Sequence, residues 1–250
     1  MCLIAWNWQP ASASPLLLLA NRDEFYHRAA HPLHWWEGGK LLAGQDLQAG
    51  GTWLGVSRSG RLAALTNYRR PTPPRADAPS RGELVANFLK SETKAAPFLQ
   101  ALASRADAYN PFNLLVFDGV QLMGLESRHA KVLDMPPGVG AVSNADFQTP
   151  WPKVTRLTKG LRACLDQHTS GADHLLALLQ DRTPAPDALL PHTGIALPLE
   201  RALSATFIAT PHYGTRASSL VQLHQTHAEF TEHRYDFSGL IDRNQHTFPL

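Results

Sequence analysis

The first 20 residues contain two apolar runs of strand length, CLIAWNW at residues 2–8 and LLLLA at residues 16–20. Between them, QPASASP at residues 9–15 has the proline and serine content that is typical of a turn. The pattern predicts a buried hairpin at the start of the chain. Cys2 stands at the start of its first strand, where a small buried packing residue is the simplest interpretation.

Strand and helix patterns alternate in blocks along the rest of the chain. Further strands are predicted at residues 52–58, 61–67, 113–117, 121–125, 141–143, 204–209, 217–222 and 229–235. Amphipathic helices are predicted at residues 82–91, 95–107, 151–168 and 172–180, and a proline-rich exposed loop at residues 69–79. This order of blocks predicts an α/β protein of the α+β type, in which two mainly antiparallel sheets pack between helical layers.

Composition limits the classes of function. The chain has 250 residues with 44% hydrophobic side chains, enough for one substantial core, so we expect a single domain over residues 1–250. Lys and Arg number 23 against 21 Asp and Glu. Such a balance does not provide the strong positive field that recruits nucleic acid, and we expect a small-molecule ligand or substrate instead. The oligomeric state cannot be inferred from the pattern.

The cysteine count and the N-terminal segment bear on location. Cys2 and Cys164 are too few for a disulfide scaffold, and Cys164 fits an inert packing position on a helix. The leucine run at residues 16–19 is too short for a signal peptide or a membrane span, and no cationic segment precedes it. We therefore expect a cytoplasmic protein without stable membrane insertion.

Cys2 also has a possible chemical role. A free thiol has a pKa of about 8.5 and needs a base before it attacks an acyl carbon. If Met1 is removed, the new α-amine of Cys2, with a pKa of about 7.7–8.0, provides that base within the same residue. The second residue of the chain is thus a candidate N-terminal nucleophile.

Five segments carry a resemblance to a known family. The tetrapeptide Asn21-Arg22-Asp23-Glu24 follows the opening hairpin, and the other segments are GGTWLG at residues 50–55, LTNYR at residues 65–69, VSN at residues 142–144 and YGTR at residues 213–216. In this order, they resemble the NRDE or transport-and-Golgi-organisation-protein-2 family. That family is grouped with the Ntn hydrolases, so the resemblance implies a four-layer αββα Ntn-hydrolase-like sandwich.

A more distant similarity is to the cysteine Ntn amidases that cleave penicillin V and conjugated bile salts. Their N-terminal cysteine is followed by an Arg-Asn-x-Asp segment, which reads Ala20-Asn21-Arg22-Asp23 here. Asp23 matches their aspartate, whereas Ala20 replaces their arginine and Arg22 comes two residues later. Whether Arg22 substitutes for that arginine stays open.

The similarity implies roles for the matching residues. Cys2 would be the nucleophile, Asn67 and Asn144 would donate amide hydrogen bonds to an oxyanion, and Arg216 would favour the thiolate. Asp23 would hold the α-amine or Arg216. The resemblance further implies substrate contacts from three residues, which are Arg22, Asn21 and Tyr68. The implied reaction is hydrolysis of a non-peptide amide of a small molecule through a thioester.

Several alternatives remain at this stage. Arg22, Asp23 and Glu24 can form a solvated turn, and Asn67 and Asn144 can bond to local backbone. Members of the resembling family are implicated in haem handling and in lipid or acyl-CoA homeostasis, so the same cleft can serve a non-catalytic carrier. No cofactor is expected, although haem is a possible ligand, with Cys2 or a histidine on its iron.

The 12 histidines include two His-x-x-His pairs, His31 with His34 and His224 with His227. Neither pair sits on a convincing helix with a third acidic ligand at a useful spacing. We therefore expect loop or strand histidines and no metal site.

Overall fold

The structure is a computed structural model that describes residues 2–250. Its strands are β1 (Cys2–Trp8), β2 (Leu16–Phe25), β3 (Ala30–Trp35), β4 (Leu41–Asp46), β5 (Leu54–Ser57), β6 (Leu62–Asn67), β7 (Phe112–Phe117), β8 (Leu122–Glu126), β9 (Lys131–Asp134), β10 (Gly138–Val142), β11 (Tyr213–Leu223), β12 (His227–Asp236) and β13 (Gly239–Pro249). Its α-helices are α1 (Gly82–Lys90), α2 (Ala95–Ala103), α3 (Pro152–Asp166), α4 (Ala172–Leu178) and α5 (Leu197–Ala202).

The strands form two antiparallel sheets. The first sheet has the order β10-β1-β2-β11-β12-β13, and the second has the order β3-β4-β5-β6-β7-β8-β9. The opening hairpin therefore lies in the middle of the first sheet, where β1 pairs with both β2 and β10. Central strands are covered on both faces, which explains why their sequences are continuously apolar rather than alternating.

Three apolar clusters divide the molecule into layers. Ile4 and Trp6 of β1 point into the cluster between the sheets, whereas Leu3 and Ala5 point into the cluster beneath α3 and α4. A third cluster packs α1 and α2 on the outer face of the second sheet, with Phe88 fully buried. The layers are helix, sheet, sheet and helix, so the predicted αββα architecture is confirmed.

The structure differs from the sequence-based prediction at several elements. Residues 21–24 lie inside β2, which runs to Phe25, and do not form a turn after it. The predicted strand at residues 204–209 is absent; the preceding residues form α5 and only Ala209 makes an isolated bridge. Strands β3, β4, β9 and β13 have no counterpart in the prediction because they lie at or near sheet edges and carry many polar residues.

The helices agree better with the sequence. The helix expected at residues 95–107 ends at Ala103 and is followed by a short 3-10 turn, Ala106–Ala108. Cys164 lies half-buried on α3 as a free thiol. Among the described residues, no helix combines the length and apolar character that crossing a bilayer requires.

Candidate functional site

A cleft of about 520 Å³ opens at the end of the sandwich where β1 begins. It is lined by residues from both sheets and from the proline-rich loop before α1. Five of the residues expected at the site belong to the lining, namely Cys2, Arg22, Asp23, Asn67 and Arg216. The fold thus brings residues that are up to 214 positions apart in sequence to one cavity, from Cys2 to Arg216.

Cys2 shares the inter-sheet face of β1 with Ile4 and Trp6, because alternate side chains of a strand point the same way. The residue is 6% exposed. Its carbonyl oxygen accepts a hydrogen bond from Ser143 Oγ at 3.0 Å, which ties the start of β1 to the end of β10. Burial raises the pKa of the Cys2 thiol, so the thiol requires a base before it can react.

Asp23 lies on the opposite face of the first sheet, beneath the helical layer. Its Oδ1 accepts a hydrogen bond from Thr215 Oγ1 at 2.8 Å, and its carbonyl oxygen accepts one from the Tyr213 hydroxyl at 2.9 Å. Burial raises the pKa of the Asp23 carboxyl, and the nearby positive charge of Lys153 acts against that shift. Cys2 pairs with Arg22, the residue before Asp23, on the neighbouring strand. The backbone nitrogen of Cys2 therefore lies within the sheet, between the face of its own side chain and the face of Asp23.

Lys153 is a buried charge close to Asp23 that the sequence did not indicate. It lies in the first turn of α3, is 1% exposed, and its Nζ has no hydrogen-bond partner among the described residues. Burial lowers its pKa to about 8, while the charge of Asp23 acts in the opposite direction. A usable signal was present, because Lys153 precedes Leu157 by four positions and Leu161 by eight and so shares their apolar stripe.

Arg69 and Glu200 form a second buried feature that the sequence did not indicate. Arg69 Nη1 lies 2.6 Å from Glu200 Oε2, and both side chains are only 4% exposed. The Arg69 guanidinium also stacks on the Trp151 ring, 4.6 Å from its centroid. This ion pair joins the segment after β6 to α5 and fixes the loop that follows Asn67.

The two asparagines have different environments. Asn144 is fully buried, and its Nδ2 donates a hydrogen bond to the carbonyl oxygen of Asn67 at 2.8 Å. The backbone carbonyl oxygen of Asn144 accepts a hydrogen bond from the backbone N–H of Arg69 at 2.8 Å. Asn67 lines the cleft, whereas Asn144 does not. Asn144 thus holds the backbone of Asn67 in place, and Asn67 is the one of the two asparagines that lines the cleft.

Arg216 lies at a β-bulge between Thr215 and Ala217 of β11. Its Nη1 donates to the carbonyl oxygens of Phe25, Tyr26 and Arg28 at distances of 2.9–3.1 Å. Its Nε donates to the carbonyl oxygen of Tyr235 at 3.0 Å. The guanidinium therefore holds the turn after β2, and Arg216 is also part of the cleft lining.

The expected substrate-contacting residues separate into two groups. Arg22 lies in the cleft lining and donates to Asp46 Oδ2 at 3.1 Å. Asn21 is fully buried away from the lining, where its Nδ2 donates to the carbonyl oxygens of Leu179 and Thr206. Tyr68 also lies outside the lining, and its hydroxyl accepts a hydrogen bond from Arg128 at 3.1 Å. Asn21 and Tyr68 thus stabilise the framework in this structure.

Charge is concentrated in the cleft. Arginines from five elements and loops line it, and they are Arg22, Arg28, Arg75, Arg81, Arg216 and Arg234. The carboxylates in the lining are Asp23, Glu24, Asp46 and Glu232. Arg81 was not indicated by the sequence; its guanidinium makes one long hydrogen bond, 3.3 Å to the Pro111 carbonyl, and burial lowers its pKa. The excess of guanidinium groups favours an anionic ligand.

Comparison with known proteins places the chain in a family. The family model for Transport and Golgi organisation 2 matches residues 1–236. The Transport and Golgi organization protein 2 homolog of Bos taurus is 35% identical, with 93% of this chain and 92% of that protein covered. The homolog of Homo sapiens is 32% identical, with the same coverage of 93% and 92%.

Solved structures agree with the fold. A mutant conjugated bile acid hydrolase from Clostridium perfringens superimposes with a TM-score of 0.56 over 100% of this chain and 92% of that one, at 10% sequence identity. Identity this low supports the fold alone, which is that of the Ntn hydrolases. On the family model and the relatives together, this chain belongs to the Transport and Golgi organisation 2 family.

Proposed function

We propose that the chain is an N-terminal-cysteine hydrolase that cleaves a non-peptide amide of a small molecule. The observation that carries the proposal is the placement of Cys2 at the cleft beside Asp23 and Asn67, on an Ntn-hydrolase-type fold. A solved structure with this fold is that of a mutant conjugated bile acid hydrolase. Met1, whose removal the proposal requires, lies outside the described residues.

The reaction follows from these groups. After Met1 is removed, the α-amine of Cys2 takes the thiol proton, and Sγ attacks the amide carbonyl carbon. The amide of Asn67 donates a hydrogen bond to the resulting oxyanion, and Asp23 stabilises the ammonium form of the α-amine. Collapse of the tetrahedral intermediate passes the proton to the leaving amine and leaves a thioester. Water then attacks the thioester, which releases the acid and restores the thiol.

Burial makes the removal of Met1 decisive. Because desolvation raises the pKa of the Cys2 thiol, a chain that keeps Met1 holds a neutral thiol at neutral pH. An α-amine with a pKa of about 8 on the same residue supplies the missing base. The proposal therefore predicts activity only in molecules whose first residue is Cys2.

The test combines intact mass with an acylation assay. Protein with a verified N-terminal Cys2 is incubated with acyl p-nitroanilides of varied chain length, and released p-nitroaniline and the mass of the N-terminal peptide are measured. We expect turnover and a transient acyl adduct, both lost in Cys2→Ala and both retained in Cys164→Ser. The hydrolase proposal is wrong if verified Cys2 protein is never acylated by any member of the panel.

The cleft charges support a second candidate, a carrier that binds an apolar anion without cleaving it. Haem, a lipid or an acyl-CoA carries the carboxylates or phosphates that six lining arginines would pair with. Cys2 and His31 both line the cleft and are potential axial ligands of haem iron. Haem is added to the wild type, to Cys2→Ala and to His31→Ala. A Soret shift in the wild type that is lost in either variant would support haem binding. A haem spectrum that no protein shifts, or that all three shift equally, would exclude Cys2 and His31 as iron ligands.

We further propose that the ligand is a small molecule and that the chain acts in the cytoplasm. Both cysteines are free thiols in the structure, a state that suits a reducing compartment. Localisation of a tagged chain in intact cells tests the second statement.

A further inference from the structure

We propose that His224, His227 and Glu229 form a Zn²⁺ site at the turn between β11 and β12, with one coordination position left to water or an exogenous ligand. The three side chains lie on one short hairpin and bring their nitrogen and oxygen donor atoms within 4.8 Å of one another. This site departs from the sequence expectation of no metal site, which rested on the lack of a convincing helix with a third acidic ligand at a useful spacing.

The donor distances fit a single metal ion. Glu229 Oε1 lies 3.3 Å from His227 Nε2 and 3.9 Å from His224 Nε2. Bonds of about 2.1 Å in a tetrahedral zinc site place ligand atoms about 3.4 Å apart. The two imidazole rings are stacked, with centroids 4.2 Å apart and an interplanar angle of 10°. Because the Nε2 lone pair lies in the plane of its ring, the His227 ring has to rotate out of this stack to share an ion with His224 and Glu229.

Both Nδ1 atoms already have partners, and His227 Nε2 lies 3.3 Å from Glu229 Oε1, a contact that a shared metal ion would replace. His224 Nδ1 lies 2.5 Å from Ser14 Oγ, and His227 Nδ1 lies 3.2 Å from Thr226 Oγ1. Metal-ligating histidines usually use their second nitrogen in this way, which fixes the tautomer and the ring orientation. His224 Nε2 is buried and has no hydrogen-bond partner among the described residues. A zinc ion would satisfy that nitrogen.

The backbone around the turn is held before any ion binds. The N–H of His224 donates to the carbonyl of His227 at 2.9 Å, and the N–H of Gln225 donates to Ala13 at 3.0 Å. The N–H of Leu250 donates to the carbonyl of Thr226 at 3.1 Å. Because the loop before β2 and the chain end both hold this turn, little ordering is required on binding.

The site is remote from Cys2. Leu223 pairs with Leu16, and Leu16 pairs with Trp8 at the far end of β1 from Cys2. Trp8 lies six positions after Cys2 along an extended strand, a distance of about 20 Å at roughly 3.3 Å per residue. The zinc proposal and the hydrolase proposal can therefore fail independently.

The test uses untagged full-length protein that has been stripped with a chelator. Zn²⁺ is titrated against a chromophoric competitor, and Co²⁺ is added separately to record its visible absorption. We expect one equivalent of Zn²⁺ per chain, a tetrahedral Co²⁺ spectrum and a rise in Tm with zinc. We expect affinity to fall at least tenfold in His224→Ala, His227→Ala and Glu229→Gln.

His34→Ala is the matched control, since His31 and His34 have the same spacing but belong to no three-ligand group among the described residues. This variant should bind Zn²⁺ as the wild type does. Failure of the wild type to bind one equivalent would overturn the proposal, as would unchanged binding in Glu229→Gln. If a histidine variant does not fold, the shift of the imidazole ¹⁵N resonances of the wild type on adding Zn²⁺ decides the ligands.

Discussion

The two faces of the first sheet differ at the end that carries Cys2. On the cleft face, Arg22 and Arg28 pair with Asp46, and these three side chains remain 11–27% exposed. On the helix face, Arg69 and Glu200 are each 4% exposed, and Lys153 is 1% exposed. Residues of the same chemical type are thus held in water-accessible pairs on one side and in a sealed layer on the other.

The difference separates two tasks. Exposed ion pairs are screened and contribute little to stability, so the cleft arginines can exchange a carboxylate partner for the anion of a ligand. Buried ion pairs cannot exchange partners with water, and removal of one member leaves an uncompensated charge. The helix face therefore fixes the geometry of Asp23 and Asn67, while the cleft face remains adaptable.

The largest expected effect is that of Arg69→Met. Among the described residues, this change leaves the buried carboxylate of Glu200 with the Thr193 hydroxyl and backbone N–H as its hydrogen-bond partners. We expect a loss of about 3–5 kcal/mol in the free energy of unfolding, measured by urea denaturation. The double variant Arg69→Met, Glu200→Leu should recover much of this loss because no unpaired charge remains. A loss below about 1 kcal/mol in the single variant would show that the helix face behaves like exposed surface.

Much of the fold could be predicted from sequence because the central strands are covered on both faces. The opening hairpin β1–β2 and the pairs β5–β6 and β7–β8 are apolar and short, with clear turns between them. Strand β13 carries exposed polar residues such as Arg243 and Gln245 along a sheet edge, and such a polar edge pattern resembles a loop. Edge strands are defined by the neighbour that they pair with, which a local pattern does not contain.

The site divides in the same way. Cys2, Asp23 and Asn67 were found because each lies in a segment that resembles a known family. Lys153 and Glu200 were not found, since a charged residue in the first turn of a helix or in a short helix is ordinarily solvated. Lys153 is buried by the packing of α3 against β1 and β10, and its place on the apolar stripe of α3 is the only local sign of it. Glu200 is buried by its pairing with Arg69, a long-range contact that no local spacing encodes.

An intermediate effect is expected from Lys153, and it depends on pH. The folded pKa of about 8 lies below the ordinary value of 10.5, so the unfolded chain binds more protons between these two pH values. The contribution of Lys153 to the free energy of unfolding should therefore rise with pH across this window, by as much as about 3 kcal/mol.

The rise is measured as the difference between wild type and Lys153→Met in urea denaturation at a series of pH values from 8 to 10.5. Lys159→Met, at an exposed position of the same helix, is the matched control and should show the wild-type dependence. Parallel curves for wild type and Lys153→Met would mean that Lys153 reaches water on the helix face.

The smallest expected effect is that of Asp46→Asn on the cleft face. Burial acts to raise the pKa of Asp46, but the hydrogen bonds from Arg28 and from the Ala49 backbone outweigh it, so the pKa lies below 3.8. The carboxylate therefore stabilises the fold above pH 3.8, and this contribution is lost as the pH falls through the lower folded pKa. Because the pair is partly exposed, we expect a loss of only about 0.5–1 kcal/mol at neutral pH.

Raising the salt concentration to about 1 M should shrink the difference between Asp46→Asn and wild type further, since exposed charges are screened within about 3 Å under those conditions. If Asp46→Asn lost as much free energy of unfolding as Arg69→Met, and if salt did not change this loss, the ion pairs on both faces of the sheet would behave as buried pairs. The arginines Arg22 and Arg28 would then be committed to Asp46. An anionic ligand would have to bind through Arg81 instead, whose guanidinium makes one long hydrogen bond within the described part of the chain, to the Pro111 carbonyl oxygen.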